Sequence, residues 1–137
     1  MAGSFSDYME LKLLDCYFGA TAYSAPATLY FALCTAAPND ASTGSTLTEA
    51  AYTNYVRKSM TNNKTTWGAA ASGQVANAAA ITFATCGATP ATVTHYAICD
   101  AASGGNVLAW GDLTTQKTIS NGDIPEFAVG ALTISLD

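Results

Sequence analysis

His95 is the chain's one histidine, set in "TVTHYAICD" between Thr94 and Tyr96. An imidazole beside hydroxyls and carboxylates can serve as the base of a Ser-His-Asp relay. Nothing around His95 supplies the rest of that machinery. There is no GxSxG turn, no P-loop and no GxGxxG following a strand. A histidine in the middle of a strand, held by a neighbouring hydroxyl, is the reading that fits. A glycosidase would need two carboxylates about 5–10 Å apart in a cleft. The 10 acidic residues lie mainly in turns and in the N-terminal segment, where capping and solvation account for them. No catalytic residue is therefore assigned, and the protein is expected not to be an enzyme.

Cysteine offers the next chemistry. Cys16, Cys34, Cys86 and Cys99 form no CxxC pair and do not join His95 at zinc-ligand spacing, so neither metal nor cofactor is expected. The N-terminus shows no basic and apolar leader. The expectation is a protein made in the host cytoplasm, with free and buried thiols. Trp67, Trp110 and the tyrosines could stack on sugar rings, but Trp110 in "VLAWGDL" sits in an apolar strand, where core packing is the simpler role.

Charge narrows the partners. With 137 residues, 11% of them charged, and a net charge of −5, the chain has no basic stripe for nucleic acid. It also has no apolar run long enough to span a membrane. So neutral a surface suits a chain packed against other protein. The length fits one domain, taken as 1–137.

The elements that must position these residues are mostly strands. "TLYFALCT" alternates Leu29, Phe31 and Leu33 with Tyr30, Ala32 and Cys34, as a central strand with both faces covered does. "AAPNDASTGST" reads as a surface loop and "YTNYVRKSMT" as an amphipathic strand. A strand ends at Ile81 and Phe83. "TVTHYAICD" and "NVLAWGDL" form two strands joined by a Gly-rich turn. A separate strand holds Ile119. A long last one carries Phe127, Val129, Leu132, Ile134 and Leu136, with Pro125 marking an edge or bulge and Gly130 a bend. The fold class is mainly β: an antiparallel β-sandwich or barrel of about seven or eight short strands with one N-terminal α-helix.

That helix, about 5–18, can start at Ser4, Ser6 or Asp7 and end at Gly19. Leu11, Leu14 and Phe18 fall on one side. Phe5, Met9, Leu13, Cys16 and Tyr17 spread over the other, with Asp7, Glu10, Lys12 and Asp15 in the seams. One greasy face can cover the chain's own core, and the other calls for a partner. The expected interface residues are Phe5, Met9, Leu13 and Tyr17 on the helix, with Phe127 and Val129 on an exposed strand edge.

"SDYMELKLLDCYFG", "ATLYFALCTAAPND", "TVTHYAICDAASGGNVLAWGDL" and "NGDIPEFAVGALTISLD" together resemble, in that order, a family of small tailed-bacteriophage virion structural proteins. The family is labelled tail-fibre or minor structural protein, and some of its relatives act as capsid decoration, or cement, proteins. The resemblance implies a virion protein that binds the major capsid protein or other virion proteins and copies of itself. With no repeat and no heptad pattern, the expectation is a cement protein on the capsid exterior. A tail fibre, minor tail or baseplate component is the alternative, and a glycan-binding host-recognition module the second alternative.

Overall fold

The computed structural model describes residues 2–136. It is mainly β, with one helix and, among the described residues, nine strands. The strands are β1 (Ala2–Phe5), β2 (Thr28–Cys34), β3 (Lys58–Thr61), β4 (Gln74–Ala76), β5 (Ile81–Thr82), β6 (Ala91–Cys99), β7 (Val107–Ile119), β8 (Glu126–Phe127) and β9 (Thr133–Ser135), and helix α1 (Asp7–Phe18) follows β1. Seven strands form a curled sheet in the order β3-β2-β6-β7-β1-β9-β4, and β5 pairs with β8 in a small second sheet. Pairing is antiparallel throughout except between β1 and β9.

The pattern of β2 produces its central place. Leu29, Phe31 and Leu33 enter the main core, while Ala32 and Cys34 enter a smaller cluster on the opposite face with Ala97, Cys99 and Val107. β6 shows the same division, and a register shift between Val93 and His95 lets Val93 and Tyr96, three residues apart, both face the main core. The partner strand takes up the slack: His95 pairs with Asp112 and Val93 with Lys117. Leu113–Gln116 therefore bulge out opposite Thr94. The small sheet covers the main core, with Phe127 edge-on to Tyr96 at 5.7 Å and to Phe83 at 6.2 Å between ring centroids.

Four readings of the sequence change. Phe5 ends a strand instead of lying in the helix, because "AGSF" pairs with both β7 and β9, and Ser6 caps the helix that follows. "YTNYVRKSMT" is strand only from Lys58. Before it Asn54 takes φ 79°, and Tyr55 and Arg57 turn toward Glu49. The strand holding Ile119 is the far end of β7. The long last strand breaks into β8 and β9 around Gly130, φ 76°, whose N–H bonds the Asn77 carbonyl. Buried Asn77 holds that break open: its amide donates to Ala79 and Ala128 carbonyls, and its side-chain oxygen accepts the Leu132 N–H. Satisfying every arm of a buried amide in this way makes the turn cheaper than a continuous strand.

β1 lies close over β7 because both strands carry glycine where the Tyr96 hydroxyl rises between them. A methyl group at Gly3 would collide with that hydroxyl, and one at Gly111 would stand 2.8 Å from it and 2.9 Å from Gly3 Cα. Gly111→Ala is expected to lower stability by about 1–3 kcal/mol, read as a lower urea midpoint. The double variant Gly111→Ala/Tyr96→Phe should lose less than the sum of the two single changes. Strict additivity would show that the hydroxyl is not what fills the gap.

Candidate functional site

Among the described residues, Arg57 carries an unusually full set of hydrogen bonds. Its guanidinium is buried, and all five of its N–H donors are used. Nε and Nη2 bond Glu49 Oε1 at 2.9 and 2.6 Å, Nη2 also reaches the Gly44 carbonyl at 2.8 Å, and Nη1 donates to the carbonyls of Ala101 at 2.8 Å and Gly104 at 2.9 Å. Glu49 also accepts the Tyr55 hydroxyl at 2.7 Å, and that hydroxyl accepts the Leu33 N–H at 3.1 Å. One residue thus joins the 44–49 loop, the β6–β7 turn and the central strand. Gly44 lies so close to the Gly104 carbonyl that no side chain fits between them. Burial, followed by the bond to Glu49, pushes the Tyr55 phenol far above its ordinary range.

His95 stands in a second cluster. Nε2 lies 3.0 Å from Asp112 Oδ1 and Nδ1 2.7 Å from the Thr94 hydroxyl. The arrangement has the parts of a relay, yet the Asp112 side chain is 78% exposed, and none of the three residues lines either groove described below. Trp67 is buried beside Phe31, and Trp110 Nε1 donates to Asp40 Oδ1 at 3.1 Å. Among the described residues no group of three His, Cys, Asp or Glu side chains gathers as a metal site. Among the described residues, likewise, no helix is long and apolar enough to cross a membrane.

The third feature is apolar. Ser6 caps α1: its oxygen accepts the Met9 N–H at 3.4 Å, while its hydroxyl donates to the Val107 carbonyl, fixing the helix against β7. Asp7 and Glu10 in the first turn suit the positive end of the helix. No residue of the helix is fully buried. Tyr8 and Met9 rest on the core, while Leu11 is 61%, Leu14 55%, Tyr17 77% and Phe18 88% exposed.

The six expected interface residues separate. Tyr17 and Val129 face solvent, Leu13 is half-buried, Phe5 and Met9 pack against the core, and Phe127 lies inside it. Leu11, Leu14 and Phe18 were visible in the sequence as the helix's other face, but periodicity does not say which of two greasy faces turns inward. Two grooves mark the surface among the described residues. One, of about 610 Å³, runs between the far end of β7 and residues 123–127. The other, of about 580 Å³, is walled by Met9, Leu29, Trp67, Val75, Ile134 and Leu136.

The residues thus build a β-scaffold carrying one helix whose outer face is apolar and exposed. Residues 4–135 match the family described as Podophage GP4 fiber I protein gp80, and the chain belongs to that family. It is a bacteriophage virion structural protein. Comparison with curated proteins gives no match.

The four cysteines are free thiols, three of them buried and Cys16 half-buried. Burial, aided by the Glu49 charge, pushes Cys34 up to about 12, and burial pushes Cys99 to about 11. In the native protein Cys16 should alkylate first, and all four should react in denaturant without reductant. A shortfall in mass would reveal a disulfide. Both shifts favour the protonated thiol in the folded state. Their stabilisation is full below the ordinary value of 9.0 and is lost as pH rises toward about 12, so the urea midpoint should fall across that window. Arg57→Leu strands Glu49 and frees three carbonyls, and should cost about 2–4 kcal/mol in the same measurement at pH 7. A change under about 0.5 kcal/mol would show that the network is dispensable.

Proposed function

We propose that the protein is a non-enzymatic structural component of a phage fibre, acting as one unit and held in the virion through apolar contact and sheet-edge pairing with other virion proteins and with copies of itself. The observation that carries this reading is the row Leu11, Leu14, Tyr17 and Phe18, left open to water in a member of a fibre protein family. Each such side chain contributes roughly 1.5–3 kcal/mol when fully buried, enough to offset much of the cost of association. No cofactor, metal, nucleic acid or membrane enters this role. A second reading, a capsid decoration protein on the shell exterior, is favoured by the lack of any repeat or heptad in the sequence. Gold-labelled antibody on purified virions separates the two, marking the tail for a fibre and the shell for a decoration protein.

Charge is a poor adhesive here, with 5 basic and 10 acidic residues and exposed ion pairs worth about 0–1 kcal/mol each. The protein should stay on virions in about 1 M salt, where the Debye length is roughly 3 Å, and in the presence of chelator, and should leave in urea. Release by salt or by chelator alone would overturn the apolar reading.

A further inference from the structure

Helix α1 presents an apolar ridge on one side and borders an apolar groove on the other. At about 100° per residue, Leu11, Leu14 and Phe18 lie roughly 140–200° around the axis from Met9, with Tyr17 on the flank about 80° from it, and Met9 is part of the groove wall. Ridge and groove thus point in different directions from a single element. We propose that copies of this chain associate head to tail, the ridge of Leu11, Leu14 and Phe18, flanked by exposed Tyr17, on one copy seating in the groove of the next. The proposal rests on the self-association included in the structural role above, and supplies its contact surfaces.

Three observations select this occupant. The first is area. Two aromatic and two leucine side chains exposed to 55–88% offer roughly two-thirds of the ~800 Å² that each partner gives to a standard interface.

The second is charge. Asp7, Glu10 and Asp15 are exposed around the ridge, and the helix's lysine, Lys12, is held 5.6 Å over the Tyr8 ring. A two-fold contact of ridge on ridge would bring six carboxylates together. Lys64 is the charged residue among the described residues that line the groove, so ridge on groove brings acids to a cation instead.

The third is fit. The groove, about 580 Å³ and walled mainly by carbon, lies in the size range that encloses a drug-sized body, ample for two large side chains. A contact between unlike surfaces repeats: it closes into a ring if the rotation allows and otherwise extends as a filament.

Sedimentation velocity on the full chain, over a range of concentrations, tests this. The ridge variant is Leu14→Asp/Phe18→Asp and the groove variant Lys64→Glu/Leu136→Asp. All four positions are exposed, and circular dichroism is the check that each variant folds. Should the ridge variant misfold, Leu11→Asp, also exposed on the ridge, replaces it. Wild type should grow in mass with concentration, and each variant should associate at least about tenfold more weakly. An equimolar mixture of the two variants should form dimers and stop, because it holds one intact ridge for each intact groove. The inference is overturned if the groove variant associates like wild type, if the mixture stays monomeric, or if wild type is monomeric at about 100 μM. Rebinding of wild type to urea-stripped virions tests the virion role separately. A monomeric chain that rebinds would reject the head-to-tail contact and leave that role standing.

Discussion

The guanidinium of Arg57 is the constraint on which the architecture around it depends. Its five hydrogen bonds reach one carboxylate and three backbone carbonyls drawn from two separate loops. These loops have few large apolar side chains with which to hold themselves. The segment after β2 is "TAAPNDASTGST", and the β6–β7 turn is "AASGG". A charge that is desolvated and fully bonded replaces the hydrophobic contacts the loops lack, and geometry this complete is what lets a buried ion pair survive its desolvation cost. With the loop fixed, the small residues Ala32, Cys34, Ala97 and Cys99 on the second face of the sheet are covered, and β2 and β6 are buried on both sides.

Small side chains do the rest of the structural work. The sheet curls tightly where Gly3 and Gly111 make room for the Tyr96 hydroxyl, and Asn77 organises a turn by bonding. Large apolar residues gather in a main core around Phe31, Tyr96 and Phe127, and of those left exposed Leu11, Leu14, Tyr17 and Phe18 stand on the helix, while Val56, Ile124, Val129 and Leu136 are scattered elsewhere. That division leaves the outer face of the helix outside the packing that holds the fold.

Much of the fold could be read from the residues. The alternation of β2, the Gly-rich turn between β6 and β7, and the capped helix each rest on local patterns of two or three and a half residues. What escaped that reading is set by contacts distant in sequence. "AGSF" has no strand signal of its own and becomes β1 only because β7 and β9 flank it. Tyr55 and Arg57 alternate as a strand would, yet Glu49 claims both. Phe127 looked like an edge residue because nothing local announces the Tyr96 ring it packs against. The helix's two faces were legible, but their assignment was not, because it depends on where Ser6 anchors the helix to β7.

The placement of β1 between β7 and β9 has a consequence for the order of folding. Gly3 pairs with Ile134, so this edge of β1 waits for a segment synthesised more than a hundred residues later. The hairpin of β6 and β7 can form from local contacts, and β2 can add to it, but the β1–β9–β4 side closes last. Pairings between such distant segments slow folding. A nascent chain on the ribosome can seat the helix and pair β1 once β7 has emerged, but it carries an unpaired β1 edge until β9 follows, and it is in that interval that premature contact between neighbouring chains must be avoided.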